Sequence, residues 1–492
     1  MRLRDKTSEH VYSTVQYSCW LRTWDEISKG IIMNYSMNRR EFLAMSAAVG
    51  ALGVFSGCAT TAPRKISPNS KLNHACIGVG GMMGGGDLGN FLSHPRTQVV
   101  AICDVDSNHL DKAAAKVPGA RKYTDWREML AKEGDKIDSI NATVPDHMHA
   151  LIAMSAIRKG KHVYCQKPLC HDVAECRALA LAAKKAGVVT QLGTQYASGI
   201  GDRTAVQFLR EGAIGKIKRV ILCSNRPGAI DAYRLVGPRP AVGEQAPASL
   251  SWDLWLGTAP ERSFASGIYH PVKWRAWQDF GTGWSGDIGC HVFDAVWKGL
   301  GLTAPVSVVA EVQESWKNSR ERRGDTWPQS DHITWMFPGS DKTEGRELPV
   351  EWFDGLMYPP DDVQAIAKDA GFKEYPPESA MVIGTDGALL VPHTSGAILL
   401  PKDKFKDYRK PDLKGRNHYH HFIDACLGGE MAESHFVQTG PMAEAIILGT
   451  VAIRVPGTVL KWDAARMKVT NSPEAQKLIK RSYRKGWEVK GV

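Results

Sequence analysis

Ala75-Cys76-Ile77-Gly78-Val79-Gly80-Gly81-Met82-Met83-Gly84 reads as the end of a buried strand, a glycine-rich turn and the start of a helix. Glycines permit the tight turn and a close backbone approach to pyrophosphate, and the helix that follows supplies N–H donors and the positive end of its dipole. The spacing departs from G-x-G-x-x-G. Met83 stands where the third glycine belongs, and Gly84 follows one position later. The next apolar run, Val99–Cys103, ends in Asp104. A carboxylate there can hold a ribose diol and repel a 2′-phosphate; its plainer reading is a strand-end cap. Together these features predict a nucleotide site on Gly78, Gly80, Gly81, Met82, Met83 and Asp104, with NAD favoured over NADP.

Outward from that turn, strand-like and helix-like segments alternate. Strands are expected at 73–79, 98–103, 137–144, 162–166 and 188–192, with helices at 87–93, 106–116, 124–132, 147–159 and 173–186. Such alternation implies a doubly wound parallel sheet. His162-Val163-Tyr164-Cys165-Gln166-Lys167-Pro168 ends one of these strands, because proline fixes φ and lacks a donor. Lys167 then sits at the carboxyl end of a strand, where open α/β sheets bind ligands. Asn141 to His149 spans the preceding strand end. Its Thr143, Pro145, His147 and His149 are expected on the nicotinamide side of the crevice, or, for the histidines, as a helix cap or in a solvated first turn.

Beyond Gly193 the pattern changes to aromatic, proline-rich loops (225–247 and 252–280) and strand-like runs at 217–224, 306–312, 331–337, 347–353 and 381–384 without regular helices between them. This suggests an α+β domain with a large, mostly antiparallel sheet. The fold class is therefore α/β, with a leader at 1–58, a linker at 59–71, a nucleotide-binding domain at 72–193 and a substrate and oligomerisation domain at 194–492. In Gly286-Asp287-Ile288-Gly289-Cys290-His291-Val292-Phe293-Asp294, the three polar residues fall at i, i+4 and i+7, on one helical face. Oxidising a hydroxyl requires a base for the O–H proton while hydride leaves the carbon. Asp287 beside His291 can orient that base, and Lys167 can hold the hydroxyl oxygen.

Composition excludes some classes. Formal charge is +10, but the basic residues are scattered rather than striped among aromatics, which argues against nucleic acid. The ten cysteines form no C-x-x-C pair, so no metal site and no disulfide framework are expected. Cys76, Cys103, Cys165 and Cys223 lie in apolar runs and are expected as buried thiols. Arg39-Arg40-Glu41-Phe42-Leu43 before a short apolar run resembles a twin-arginine export signal. Phe55-Ser56-Gly57-Cys58 resembles a lipobox, which predicts a lipid anchor at Cys58; cleavage near Ala62 without lipid is the competing outcome. Export to the periplasm or its membrane is expected, and Met37 is an alternative start to Met1.

From about Leu72 to Leu460 the chain resembles the Gfo/Idh/MocA oxidoreductases, on its glycine loop, Gln166-Lys167-Pro168 and Gly286-Asp287…His291. The family motif is usually Glu-Lys-Pro; this chain carries Gln166. The resemblance implies that Lys167, Asp287 and His291 are catalytic, that Gln166, Trp274, Arg275 and Gln195 reach the cofactor, and that the molecule is a dimer or tetramer. It further implies a sugar, glycoside or polyol substrate and a tightly held NAD. Trp252, Trp255, Trp274 and Trp277 serve either as sugar-stacking faces or as core. The resemblance leaves open a second activity, an NAD-dependent glycosidase that oxidises transiently and shows no net redox change.

Overall fold

The computed structural model describes residues 63, 67, 70–225 and 237–492. The leader, Cys58 and Ala62 lie outside the described residues, as do most of the linker and part of the loop expected at 225–247.

Six strands form the first sheet: β1 (Leu72–Ile77), β2 (Thr97–Cys103), β3 (Arg121–Tyr123), β4 (Ser139–Ala142), β5 (His162–Cys165) and β6 (Thr190–Leu192). All pairings are parallel, in the order β3-β2-β1-β4-β5-β6. The order reverses between β1 and β4, so the crevice opens there, outside the strands' carboxyl ends. Helices α1 (Gly84–Leu92), α2 (Ser107–Ala114), α3 (Trp126–Glu133), α4 (Asp146–Arg158) and α5 (Val173–Ala186) connect them. Side chains fix the helix starts. Asp106 and Asp125 each accept a backbone N–H at an N-cap, and Asp172 with Glu175 forms a capping box on α5. The strand at β3 is not anticipated from sequence, because Arg121-Lys122-Tyr123 is short and polar, as edge strands commonly are.

The second sheet has nine strands, ordered β13-β12-β11-β7-β10-β9-β8-β14-β15. They are β7 (Ile217–Ser224), β8 (Ser307–Val312), β9 (Asp331–Pro338), β10 (Glu347–Asp354), β11 (Glu378–Gly384), β12 (Ala388–Pro392), β13 (Ile398–Leu400), β14 (Leu460–Asp463) and β15 (Lys468–Val469). Only β7 and β10 pair in parallel. Alternate residues of β9 and β10, including Trp335 and Trp352, are fully buried on one face. Burying each such side chain stabilises by roughly 1.5–3 kcal/mol.

Regular helices do lie in this half, contrary to the expectation: α6 (Ile200–Glu211), α7 (Gly283–Leu300), α8 (Asp361–Asp369), α9 (His418–Cys426) and α10 (Phe436–Arg454). Every residue of α7 is buried, and α10 is buried on nearly all sides, so neither shows the one-sided apolar period that marks a surface helix. Helix α10 is apolar and long enough to cross a membrane, but it packs between α5 and the second sheet. A Cβ at Gly440 falls 2.7 Å from Ala180 Cβ, and one at Gly449 falls 2.4 Å from Trp335 Cζ2, so only glycine admits these approaches. The chain also returns to the first sheet. Tyr419, Phe422 and Ile423 of α9 pack with Phe91 and Tyr164, and Arg481 pairs with Glu175 at 2.9 Å.

Candidate functional site

A cleft enclosing about 970 Å³, open mouth included, lies over the carboxyl ends of β1, β2 and β4. Its walls include Gly78, Gly80, Gly81, Met82, Met83, Asp104, Thr143, Pro145, Gln166, Lys167, Trp274 and Arg275. The glycine loop is shaped by contact. Gly78 has φ +80°, and a Cβ there would fall 2.0 Å from the Thr143 carbonyl oxygen. At Gly80 a Cβ would strike the His109 ring, whereas at Gly81, with φ +63°, it would meet only the Pro271 carbonyl oxygen, at 3.9 Å. Gly84 takes over the packing role of the displaced third glycine, because a Cβ there lies 2.6 Å from the Val79 carbonyl carbon. Asp104 caps this loop: its Oδ2 accepts the Val79 and Gly80 N–H groups at 2.9 and 3.1 Å. It is thus both a strand-end cap and part of the cleft wall.

At the other end of the cleft, Lys167 Nζ lies 2.9 Å from Asp287 Oδ1 and donates to the Asp287 carbonyl at 2.9 Å. Arg275 Nε donates to the same carboxylate at 3.3 Å, and its guanidinium lies 4.2 Å from the Trp274 ring centroid. Although burial opposes ionisation of Asp287, Lys167 and Arg275 hold its pKa down to about 2. Neighbouring Asp146, at the first turn of α4, moves the other way. Burial and then the Asp287 charge push it up to about 8, and Thr282 donates to it at 2.9 Å. One ionised and one protonated carboxyl therefore stand beside one lysine, the division of states that acid–base sites use. The His291 pKa is pushed well below the usual imidazole range, first by burial and then by Lys167, so the ring is a neutral proton acceptor.

Four positions differ from the sequence reading. Buried His149 does not line the cleft; its Nδ1 and Nε2 lie 2.6 and 2.8 Å from the Pro168 and Val144 carbonyls, and burial pushes it down to about 4. His147 is likewise buried, against the Trp255 carbonyl at 3.1 Å. Gln195 donates to Tyr164 and Tyr419 hydroxyls, away from the cleft lining. Asp294 stands apart from Asp287 and binds Lys298 at 2.7 Å, since seven residues carry it about 10 Å along the helix axis, and Asp287 binds Lys167 and Arg275 rather than His291. Of the tryptophans, Trp255 and Trp274 line the cleft, Trp277 is core, and Trp252 stacks on Trp255. Sequence reading missed Asp146, His109, His270 and Asp87. Only Asp146 carried a signal: it is an acid at the first turn of a helix on the crevice side.

Residues 72–194 match the Gfo/Idh/MocA model described as an oxidoreductase family with an NAD-binding Rossmann fold, and residues 203–338 match that family's C-terminal alpha/beta domain. The chain belongs to the Gfo/Idh/MocA oxidoreductase family. Levoglucosan dehydrogenase of Pseudarthrobacter phenanthrenivorans is 29% identical over 150 residues, 28% of this chain and 38% of the relative. A glycosyl hydrolase family 109 protein of Shewanella sp. is 24% identical over 208 residues, 37% of this chain and 45% of the relative. The chain thus spans less than half the length of these curated relatives. The WlbA dehydrogenase of Bordetella pertussis, solved with NADH and UDP-GlcNAcA, superposes with TM-score 0.55 at 16% identity, over 82% of this chain and 99% of that one. An inositol dehydrogenase homolog of Azotobacter vinelandii gives 0.52 at 16%, over 80% and 98%. At such identity the likeness establishes the fold.

The cleft of this Gfo/Idh/MocA member fits a dinucleotide on its own geometry. The glycine loop leaves backbone exposed where a Cβ would intrude, and Asp104 lines the same wall. Nearby, Asp106, His109 and His270 place their ligand-type atoms within 4.8 Å of one another. Hydrogen bonds account for the two outer members. Trp255 Nε1 donates to His270 Nδ1 at 3.1 Å, so the proton sits on Nε2, which faces Asp106 Oδ2 at 3.1 Å.

Proposed function

We propose that this protein is an NAD-dependent oxidoreductase acting on a hydroxyl of a sugar, glycoside or polyol. The observation that carries this reading is Lys167, held by Asp287 at 2.9 Å where the dinucleotide cleft meets α7. Bound NAD would accept or return the hydride. Lys167 donates to the reacting hydroxyl oxygen and stabilises charge developing there. His291, neutral, takes the hydroxyl proton. Asp287 stays ionised and fixes Lys167 and Arg275. Asp104 and Asp106 at the ribose end favour NAD, since a 2′-phosphate there meets negative charge. Export by the twin-arginine route, an anchor at Cys58, a cofactor retained through turnover and self-association through the second sheet complete the proposal.

The test is reduced-nicotinamide absorbance on adding levoglucosan, myo-inositol and other sugars to purified, NAD-loaded protein. A stable rise with one of them supports the reading; no rise with any counts against it. A redox-neutral glycosidase is the second reading, favoured by the similarity to glycosyl hydrolase family 109 proteins. It predicts aglycone release from a p-nitrophenyl glycoside without net NADH.

A further inference from the structure

His393 stands outside every motif that marks the family, in the turn after β12. Its ring stacks on His291, centroids 4.9 Å apart and planes at 30°. His393 Nδ1 lies 3.0 Å from Glu378 Oε2, with both side chains only about a tenth exposed. A carboxylate accepts and cannot donate when ionised, so this contact places the imidazole proton on Nδ1 and leaves Nε2 as the working nitrogen. That Nε2 is buried without a hydrogen-bond partner, and so is His291 Nδ1. Unpaired buried nitrogens are costly, and here two occur on adjoining rings.

The surroundings hold His393 in place. Glu378 also accepts from Ser224 at 3.0 Å, and Ser224 accepts from Trp284 Nε1 at 2.9 Å. Thr394 has φ +68°, a left-handed conformation that β-branched residues avoid. A Cβ on Gly201 of α6 would fall 2.0 Å from the Ser395 carbonyl oxygen, so the turn sits tightly on that helix. Strain beside an oriented imidazole is the kind of feature that clusters at functional sites.

We propose that His393, oriented by Glu378, is a second acid–base residue that serves a second oxygen of the substrate. The proposal rests on the redox-neutral glycosidase reading, which begins with the same oxidation, and deepens it. Oxidation alone needs one proton acceptor: the C–H electron pair leaves as hydride to the nicotinamide, the O–H proton passes to His291, and a C=O forms. A second imidazole has work only if a second bond changes. Beside the new ketone, once His291 has passed the hydroxyl proton to solvent, a C–H proton can move to His291 while His393, protonated on Nε2, donates to a departing glycosidic oxygen. One C–O bond then breaks, one C=C forms, and one proton is taken and one given. His393 suits the donor role because Glu378 faces its Nδ1 at 3.0 Å, whereas burial and then Lys167 disfavour a cation on His291. The groups facing His393 are Glu378 from β11, His291 from α7 and Tyr196 from the 195–198 turn, its ring 5.0 Å away.

The test uses the full-length NAD-loaded protein, with His393→Gln and Glu378→Gln. In wild type the His393 imidazole is expected to show the Nδ1–H tautomer by NMR, and Glu378→Gln, which can donate as well as accept, to mix the two tautomers. His393→Gln is expected to cut p-nitrophenyl glycoside cleavage about 100-fold and to cut nicotinamide reduction far less. Glu378→Gln is expected to lower kcat for cleavage with KM changed less than threefold. An unchanged tautomer signature in Glu378→Gln overturns the proposal without any substrate. Wild type that reduces nicotinamide but cleaves no glycoside overturns the acid role alone, as does equal loss of both activities in His393→Gln. Wild type inert in both assays overturns the functional reading along with it.

Discussion

Gln166 donates to both oxygens of Asp87, at 3.1 and 2.9 Å, where the usual family motif carries a glutamate. Asp87 also accepts from Thr143 and Tyr419, each at 2.7 Å, and burial raises its pKa. Restoring the family residue in this setting places two carboxyl groups in contact, away from water. Gln166→Glu is therefore expected to destabilise by roughly 1–3 kcal/mol, and Asp87→Asn in the same chain to recover most of the loss, as denaturant melts of the four variants will show. Lys167→Ala is expected to lower kcat/KM by about 10²–10⁴-fold. The Asp287 carboxyl, left with Arg275, should then titrate above its present value near 2. A kcat/KM within tenfold of wild type would remove Lys167 from the chemistry. Lys167, Asp287 and Arg275 were legible in sequence because motif and secondary structure place them at a strand end and on a helix face. Asp146, Asp87 and His393 were not: each owes its position to a partner far along the chain, Asp287, Tyr419 and Glu378 or His291 respectively.

Among the elements, the glycine loop shows how a departure in spacing is absorbed. Met83 displaces the third glycine, and the helix begins at Gly84, whose missing side chain keeps α1 against Val79. Gly84→Ala must shift backbone rather than a flexible side-chain end. It is expected to destabilise by roughly 1–3 kcal/mol and to weaken NAD binding in calorimetry, whereas Gly85→Ala, with open space at its Cβ, should be tolerated. Normal NAD affinity in Gly84→Ala would contradict the packing role. Five of the six strands of the first sheet, all but β3, were readable because parallel strands are apolar runs bounded by turns, and α5 because a capping box and a left-handed Gly187 mark its two ends. Helix α10 was not, since burial on nearly all sides erases its period. The strand at β13 was hidden by its three-residue length.

For the molecule as a whole, buried titratable groups set a narrow range of best stability. Six imidazoles, His74, His147, His149, His162, His418 and His435, are pushed down to about 3 or 4, in each case chiefly by burial. Unfolded, they protonate near 6.5. Below that pH the unfolded chain binds more protons, and stability falls as pH drops. Four carboxyls behave oppositely. Asp146 and Asp202 are raised to about 8, and Asp172 and Asp354 to about 7, again chiefly by burial. Their stabilising share is complete below the ordinary aspartate value and disappears as pH rises through 7 to 8. Between pH 4 and 6.5 the larger imidazole set wins, so stability climbs; above 6.5 only the carboxyls still act, and it declines. A thermal melt series from pH 4 to 10 is therefore expected to peak near 6.5. Asp146→Asn, which keeps an acceptor for Thr282 but no ionisable group, should make the alkaline decline shallower by about 1.4 kcal/mol per pH unit. An alkaline limb that is as steep in Asp146→Asn as in wild type would mean that Asp146 is already ionised at neutral pH, and the division of labour between it and Asp287 would fail with it.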